Sequence, residues 1–277
     1  FAQGIEMEPI KAVIFDWAGT LIDHGSLAPV AVFQEVFATE KINVTLGECR
    51  IPMGIAKREH INAMLSMPRI NEAFSAINGH APNDSDLERM YDTFLRINED
   101  VVMNYVVPIT GSAKCFSYLR ERDIKIGSTT GYGRALMSRV LVRAAEEGLI
   151  PDTVVCGDEL IEARPSPFMM YQNFINLGVY PPKAVIKVDD TLPGIAEGIS
   201  AGTLTVGLTL SGNATGLTED ELRACATDKI EQMHKKHSEM FLKAGADYVL
   251  RSVDELPQLM DKLNEGKPKA PGIFCNE

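Results

Sequence analysis

The sequence predicts an α/β protein: a Rossmann-like core with a parallel sheet, carrying an all-helical segment inserted after its first strand. Three observations predict it. Short continuous apolar runs such as Ala12-Val13-Ile14-Phe15 recur along the chain, as expected of strands buried on both faces. From residue 110 onward these runs alternate with helical patterns, the order that builds a parallel sheet covered by helices on both faces. Between about 25 and 105 the apolar residues recur at helical spacing and few strand signals interrupt them.

The strand candidates after the first are 124–128, Thr153-Val154-Val155-Cys156, 184–188, 204–208 and Asp247-Tyr248-Val249-Leu250. Helical patterns separate them at 134–147, 167–177 and 193–201. In the inserted segment, Val32, Val36 and Phe37, then Ile61, Met64 and Leu65, then Leu87, Met90, Tyr91 and Phe94 mark apolar faces. Pro52, Pro68 and Pro82 punctuate it, and Asn83-Asp84-Ser85 supplies cap candidates for a long helix over 84–104. The linkers at 25–29 and 108–111 each hold Gly and Pro. The expected domains are therefore a core of 1–24 and 106–265, a helical cap of 25–105 and a flexible tail of 266–277. A charged helix over 218–243 carries His234 and His237, expected on a solvated face because no third ligand is near in sequence.

Composition narrows the function. Of 277 residues, 45% are apolar and 23% charged, as in an ordinary globular protein. Lys+Arg number 27 against 38 Asp+Glu, a net charge of −11, which argues against a nucleic-acid partner but not against a small anionic substrate. Five widely spaced cysteines form no CxxC pair and read as free thiols. With no basic-apolar leader and no apolar run near ~18 residues, the expectation is a cytoplasmic protein without a membrane partner.

The chemistry-bearing residues sit where strands end. Asp16 leaves the first strand into Trp17-Ala18-Gly19-Thr20, poised as a metal ligand or nucleophile, or simply capping the turn. Asp189-Asp190-Thr191 ends another strand; two adjacent acids repel unless a cation lies near, and with Asp16 they suit Mg²⁺, although Asp-Thr before Pro193 is also a fair helix start and one Asp could play each part. Gly127-Ser128-Thr129-Thr130-Gly131-Tyr132-Gly133 precedes a helix and lets backbone N–H groups approach an anion. Arg164, in Arg164-Pro165-Ser166-Pro167, adds a cation at a rigid turn.

In this order, these four pieces resemble the haloacid dehalogenase superfamily of phosphotransferases, whose cap lies where the helical insert lies. The resemblance implies an Asp16 nucleophile, and Mg²⁺ held by Asp16, the Ala18 carbonyl and Asp190, with Asp189 ligating directly or through water. Thr130, Gly131 and Arg164 would hold the phosphoryl oxygens. One departure matters. Phosphatases of the superfamily carry a second Asp two residues after the first, as acid and base; here that position is Ala18. The further acid often found four residues after Asp190 is also missing, replaced by Gly194.

The inserted segment supplies a counterpart. In Pro52-Met53-Gly54-Ile55-Ala56-Lys57-Arg58-Glu59-His60, Lys57 and His60 share a helix face. A Lys in an apolar setting can form imines with carbonyls, although an ordinary surface helix would also fit. Together with Asp16-Trp17-Ala18-Gly19-Thr20, this run resembles the phosphonatase (phosphonoacetaldehyde hydrolase) family. The resemblance implies cleavage of phosphonoacetaldehyde to acetaldehyde and phosphate, with Lys57 as the imine-forming residue and a homodimer joined through the caps. His60 would move protons, while Met53, Gly54 and Tyr132 would border the substrate. Two alternatives are a phosphatase or phosphomutase acting on a small phosphate ester, and a binding module without catalysis. The absent second Asp counts against the first, and retention of Asp16, Thr130, Arg164 and Asp190 against the second.

Overall fold

The computed structural model describes residues 9–264 and 272–273. Strands β1 (Ala12–Phe15), β2 (Lys125–Thr130), β3 (Thr153–Cys156), β4 (Val185–Asp189), β5 (Leu204–Leu208), β6 (Tyr248–Leu250) and β7 (Gly272–Ile273) form one parallel sheet. Their order is β3-β2-β1-β4-β5-β6-β7. The chain moves outward from β1 to β3, then returns to start again at β4. That reversal opens a crevice at the carboxyl ends of β1 and β4, where parallel sheets bind ligands. β1 is fully buried, which is why its sequence is apolar without alternation. Val13 and Phe15 join the larger hydrophobic cluster, while Ala12 and Ile14 pack with Met170 and Val185.

Helices α1 (Leu27–Thr39), α2 (Leu46–Arg50), α3 (Lys57–Leu65), α4 (Pro68–Asn78) and α5 (Asp84–Met103) occupy residues 27–103 without an intervening strand. Their starts are encoded locally. The Asp23 carboxylate accepts from the N–H groups of Leu27 and Ala28, Thr45 and Glu48 form a capping box, Pro68 opens α4, and Asn83 caps α5. The two crossings between this segment and the sheet lie side by side. Asp23 N–H donates to Val107 O (3.0 Å) and Ile109 N–H to Leu21 O (2.9 Å).

The remaining helices are α6 (Ser112–Arg120), α7 (Arg134–Glu146), α8 (Phe168–Leu177), α9 (Leu192–Ala201), α10 (Glu219–Arg223), α11 (Thr227–Lys243) and α12 (Leu256–Asn264). The single helix expected over 218–243 is thus two. α10 buries none of its residues and is held by its own capping box at Thr218 and Glu221, whereas α11 buries one face. The expectation of solvated histidines on it is corrected, because His234 and His237 are both buried. Thr209, at the end of β5, explains this: its Oγ1 lies 2.7 Å from His234 Nδ1, and its carbonyl accepts from His237 Nδ1 at 2.8 Å. A neutral imidazole meets such a partner with little loss of hydration, while Lys235 and Lys236 between them stay exposed.

Two residues of the expected tail, Gly272 and Ile273, instead pair with β6 as a seventh strand. The rest of that tail, with Cys275, lies outside the described residues. Cys49, Cys115, Cys156 and Cys225 are free thiols. Among the described residues no helix is long and apolar enough to cross a membrane.

Candidate active site

β1 delivers Asp16 to the crevice, and its neighbour β4 delivers Asp189 and Asp190. Register fixes this: Phe15 pairs with Val188, and Asp16 N–H donates to Val188 O at 3.0 Å. The turn after Asp16 is shaped to hug Asp190. Gly19 has φ +82°, and a Cβ there would stand 2.3 Å from Asp190 Oδ2, so no other residue fits without displacing the acid. Thr20 Oγ1 (3.3 Å) and the Asn213 N–H (2.6 Å) donate to Asp190 from its other sides. Trp17 Nε1 donates to Ser128 Oγ at 2.9 Å, tying the turn to β2.

Asp189 is held differently. Its Oδ1 accepts from the N–H (3.0 Å) and hydroxyl (2.7 Å) of Thr191, and its Oδ2 faces Lys187 Nζ (3.0 Å) and Arg164 Nη1 (3.4 Å). A Cβ on residue 194 would stand 2.0 Å from the Asp189 carboxylate. Gly194 therefore leaves the room that Asp189 fills.

The carboxylates of Asp16, Asp189 and Asp190 offer oxygens within 4.8 Å of one another and could hold a metal ion. Burial opposes charge on all three. At Asp189, Arg164 and Lys187 outweigh it and hold the carboxyl below its usual range. At Asp16 burial wins over Arg164, and at Asp190 burial joins repulsion from Asp16 and Asp189, so both are pushed up. An all-oxygen set with two under-compensated carboxylates suits a hard divalent cation.

Above them lies a small cavity of about 30 Å³. Asp16, Ala18, Thr130, Gly131, Tyr132 and Arg164 line it from the sheet side, and Met53, Gly54 and Lys57 from the helical segment. Thr130 Oγ1 accepts from Tyr132 N–H (3.1 Å), fixing the turn after β2. Gly54 has φ +99°, and a Cβ there would lie 2.5 Å from Thr191 Oγ1, which lets the loop before α3 settle on the start of α9. Lys57 Nζ sits 5.2 Å from the centroid of the Tyr132 ring and 5.8 Å from that of Phe33. Burial lowers its pKa to about 8, with Asp16 partly opposing.

His60 is not brought to this lining. Residues three apart on a helix differ by about 60° in direction, and that angle turns His60 inward with Ile61, Met64 and Leu65. Its ring stacks on Phe33 (centroids 3.7 Å apart), Nε2 donates to Cys49 O (2.9 Å), and Nδ1 has no partner. Burial first, and the Lys57 charge second, hold its pKa well below the usual value, so the ring is neutral.

The chain is similar to known proteins in sequence and fold. The profile of haloacid dehalogenase-like hydrolases matches residues 10–202. A phosphonoacetaldehyde hydrolase from Paraburkholderia xenovorans is 46% identical over 250 residues, covering 90% of this chain and 94% of that one. Another, from Bacillus cytotoxicus, is 40% identical over 92% of this chain and 97% of its own. The chain belongs to the phosphonoacetaldehyde hydrolase family. A solved structure, of a phosphonoacetaldehyde hydrolase-like protein from Oleispira antarctica, superposes on this family member with a TM-score of 0.93. It is 39% identical, over 98% of this chain and 99% of that one. A more distant hydrolase from Deinococcus radiodurans, 18% identical, shares the fold alone, with a TM-score of 0.62 over 92% of this chain and 97% of its own.

Sequence reasoning missed several groups at this phosphonoacetaldehyde hydrolase family site. Ser26, Pro29, Ile55 and Thr191 also line the cavity, and nothing in their types announces it. Lys187 did carry a signal: a lysine inside a fully buried strand must be paired, and it is.

Proposed function

We propose that the protein hydrolyses the C–P bond of phosphonoacetaldehyde to acetaldehyde and phosphate, through an imine on Lys57 and a phosphoryl group carried by Asp16. The observation that supports this is that the Lys57 amine and the Asp16 carboxylate border one small cavity in which the usual second acid is Ala18. A C–P bond leaves as a carbanion, which an acid at position 18 would not rescue. An electron sink does. Lys57 Nζ adds to the aldehyde carbon, water leaves, and a protonated imine forms. An Asp16 oxygen attacks phosphorus, and the C–P electron pair moves into the imine to give an enamine. Protonation of the enamine carbon and hydrolysis free acetaldehyde and Lys57; a second water cleaves the phosphoryl group from Asp16.

Arg164 and the Gly131 N–H orient the phosphonyl oxygens, with Thr130 bracing the same turn. Asp16, the Ala18 carbonyl and Asp190, with Asp189 beside them, would hold Mg²⁺, which supplies charge screening between carboxylate and phosphonyl group. His60, neutral and packed on Phe33 with its Nδ1 unpartnered, is given no step in this scheme.

The Lys57 amine must be neutral to attack. With a pKa of about 8 roughly a tenth is neutral at pH 7, against well under a thousandth for an unperturbed lysine. Neutral amine increases with pH, so single-turnover phosphate release is expected to rise about fivefold from pH 7 to 8 and level off by pH 9. A profile flat or falling over that range would exclude a rate set by Lys57 deprotonation.

Residues 25–105 act, in the same proposal, as a cap that opens and closes about the linkers at 25–29 and 108–111. The cavity is walled by the sheet side and by the helical segment together, so movement of that segment would change access to it. Vanadate with saturating Mg²⁺ should slow backbone hydrogen exchange at both linkers relative to Mg²⁺ alone. Identical exchange would favour a rigid platform.

A further inference from the structure

Behind Arg164 lies a buried ionic cluster that the proposed chemistry does not use. Glu197, on α9, and Lys187, on β4, are both fully buried. Glu197 Oε2 accepts from Thr129 Oγ1 (2.8 Å) and faces Arg164 Nε (3.1 Å) and Lys187 Nζ (3.1 Å). Lys187 Nζ also donates to Thr129 Oγ1 (2.6 Å) and faces Asp189 (3.0 Å). Of the remaining donors of Arg164, Nη2 reaches Asp16 Oδ1 (2.8 Å) on the cavity side as well as the carbonyl (2.7 Å) and hydroxyl (2.8 Å) of Thr129, and Nη1 faces Asp189. Every edge of the guanidinium therefore meets an acid or an oxygen, and the edge turned away from the cavity meets Glu197.

The backbone is built to allow this. Beside Glu197 is Gly198, where a Cβ would lie 2.7 Å from Thr205 Cγ2 and 2.8 Å from Lys187 Cβ. Only glycine lets α9 approach β4 and β5 closely enough to seat a carboxylate over Lys187. An arginine has many rotamers, and a cation meant to meet one phosphonyl geometry gains from having its plane fixed beforehand. A buried carboxylate at Nε does that without entering the cavity.

We infer that Glu197 is a positioning residue, which with Lys187 and Thr129 fixes the guanidinium plane of Arg164 so that its forward edge is presented to Asp16 and to a phosphoryl or phosphonyl group. The inference rests on the proposed role of Arg164 as the cation that holds that group. Glu197→Gln keeps the shape and one oxygen but removes the charge.

The test is a double-mutant cycle on the full chain with Mg²⁺: wild type, Glu197→Gln, Arg164→Ala and the double variant. The readout is the inhibition constant of inorganic phosphate. Glu197→Gln is expected to raise it about tenfold or more in the wild-type background and less than about twofold in the Arg164→Ala background. Borohydride trapping of Lys57 with acetaldehyde, which carries no phosphonyl group, should be unchanged. Equal factors in both backgrounds, or trapping lost in parallel with phosphate affinity, would assign Glu197 a merely structural role and overturn the inference. Should Glu197→Gln fail to fold, Glu197→Asp, which retains the charge at shorter reach, takes its place in the cycle under the same criteria. An unchanged constant in Arg164→Ala would overturn the reading of Arg164 and the inference with it; a constant raised in Arg164→Ala but not in Glu197→Gln would overturn the inference alone.

Discussion

Replacing Lys57 with arginine is expected to lower turnover of phosphonoacetaldehyde by on the order of 10⁴-fold or more, with the fold intact. Arginine keeps the positive charge that Asp16 and the Tyr132 and Phe33 rings face. It loses the one property the mechanism needs, because a guanidinium neither deprotonates near neutral pH nor forms an imine with an aldehyde. The substitution thus separates charge from nucleophilicity. If Lys57 only attracted the substrate electrostatically, the arginine variant would show a changed KM and a kcat within about tenfold of wild type. Steady-state kinetics, with circular dichroism as the check on folding, decide between the two.

Asp16→Asn is expected to abolish phosphate release to a similar extent, but with the opposite signature at Lys57. An amide oxygen is a poor nucleophile toward phosphorus, so no phosphoryl group is transferred. Condensation with the aldehyde needs only the amine, so the variant should still form the imine and accumulate it. Asp190→Asn should behave alike if Asp190 helps to hold Mg²⁺, and a chelator should stop phosphate release until Mg²⁺ is restored. Full phosphate release in chelator would remove the metal from the account. Restored release in Asp16→Asn would remove the nucleophile.

Much of this was legible in the sequence because strand ends are legible. A buried parallel strand is a run of apolar residues, and the first polar residue after it emerges at the ligand-binding edge; Asp16 and Asp189-Asp190 are legible that way, whereas Thr130 is legible only through the Gly- and Thr-rich turn that resembles the superfamily's. Register and strand order then bring them together, which no local pattern encodes. His60 was placed beside Lys57 by spacing alone, yet the 60° between positions three apart separates a cavity-lining residue from a core residue. His234 and His237 looked solvated because they flank two lysines, and the partner that buries them, Thr209, is more than twenty residues away. Glu197 was invisible for the same reason: its role depends on Arg164, Lys187 and Thr129, contributed by three other parts of the chain.

The central claim is that the carbonyl of the substrate becomes covalently bound to Lys57. Borohydride reduces a protonated imine to a stable secondary amine, so the most direct measurement is trapping during incubation with phosphonoacetaldehyde, followed by proteolysis and mass spectrometry of the peptides. The account expects a single modification, on the peptide containing Lys57, with loss of activity in proportion to labelling and none in Lys57→Arg. Labelling spread over surface lysines, or full activity surviving reduction in the presence of substrate, would contradict it.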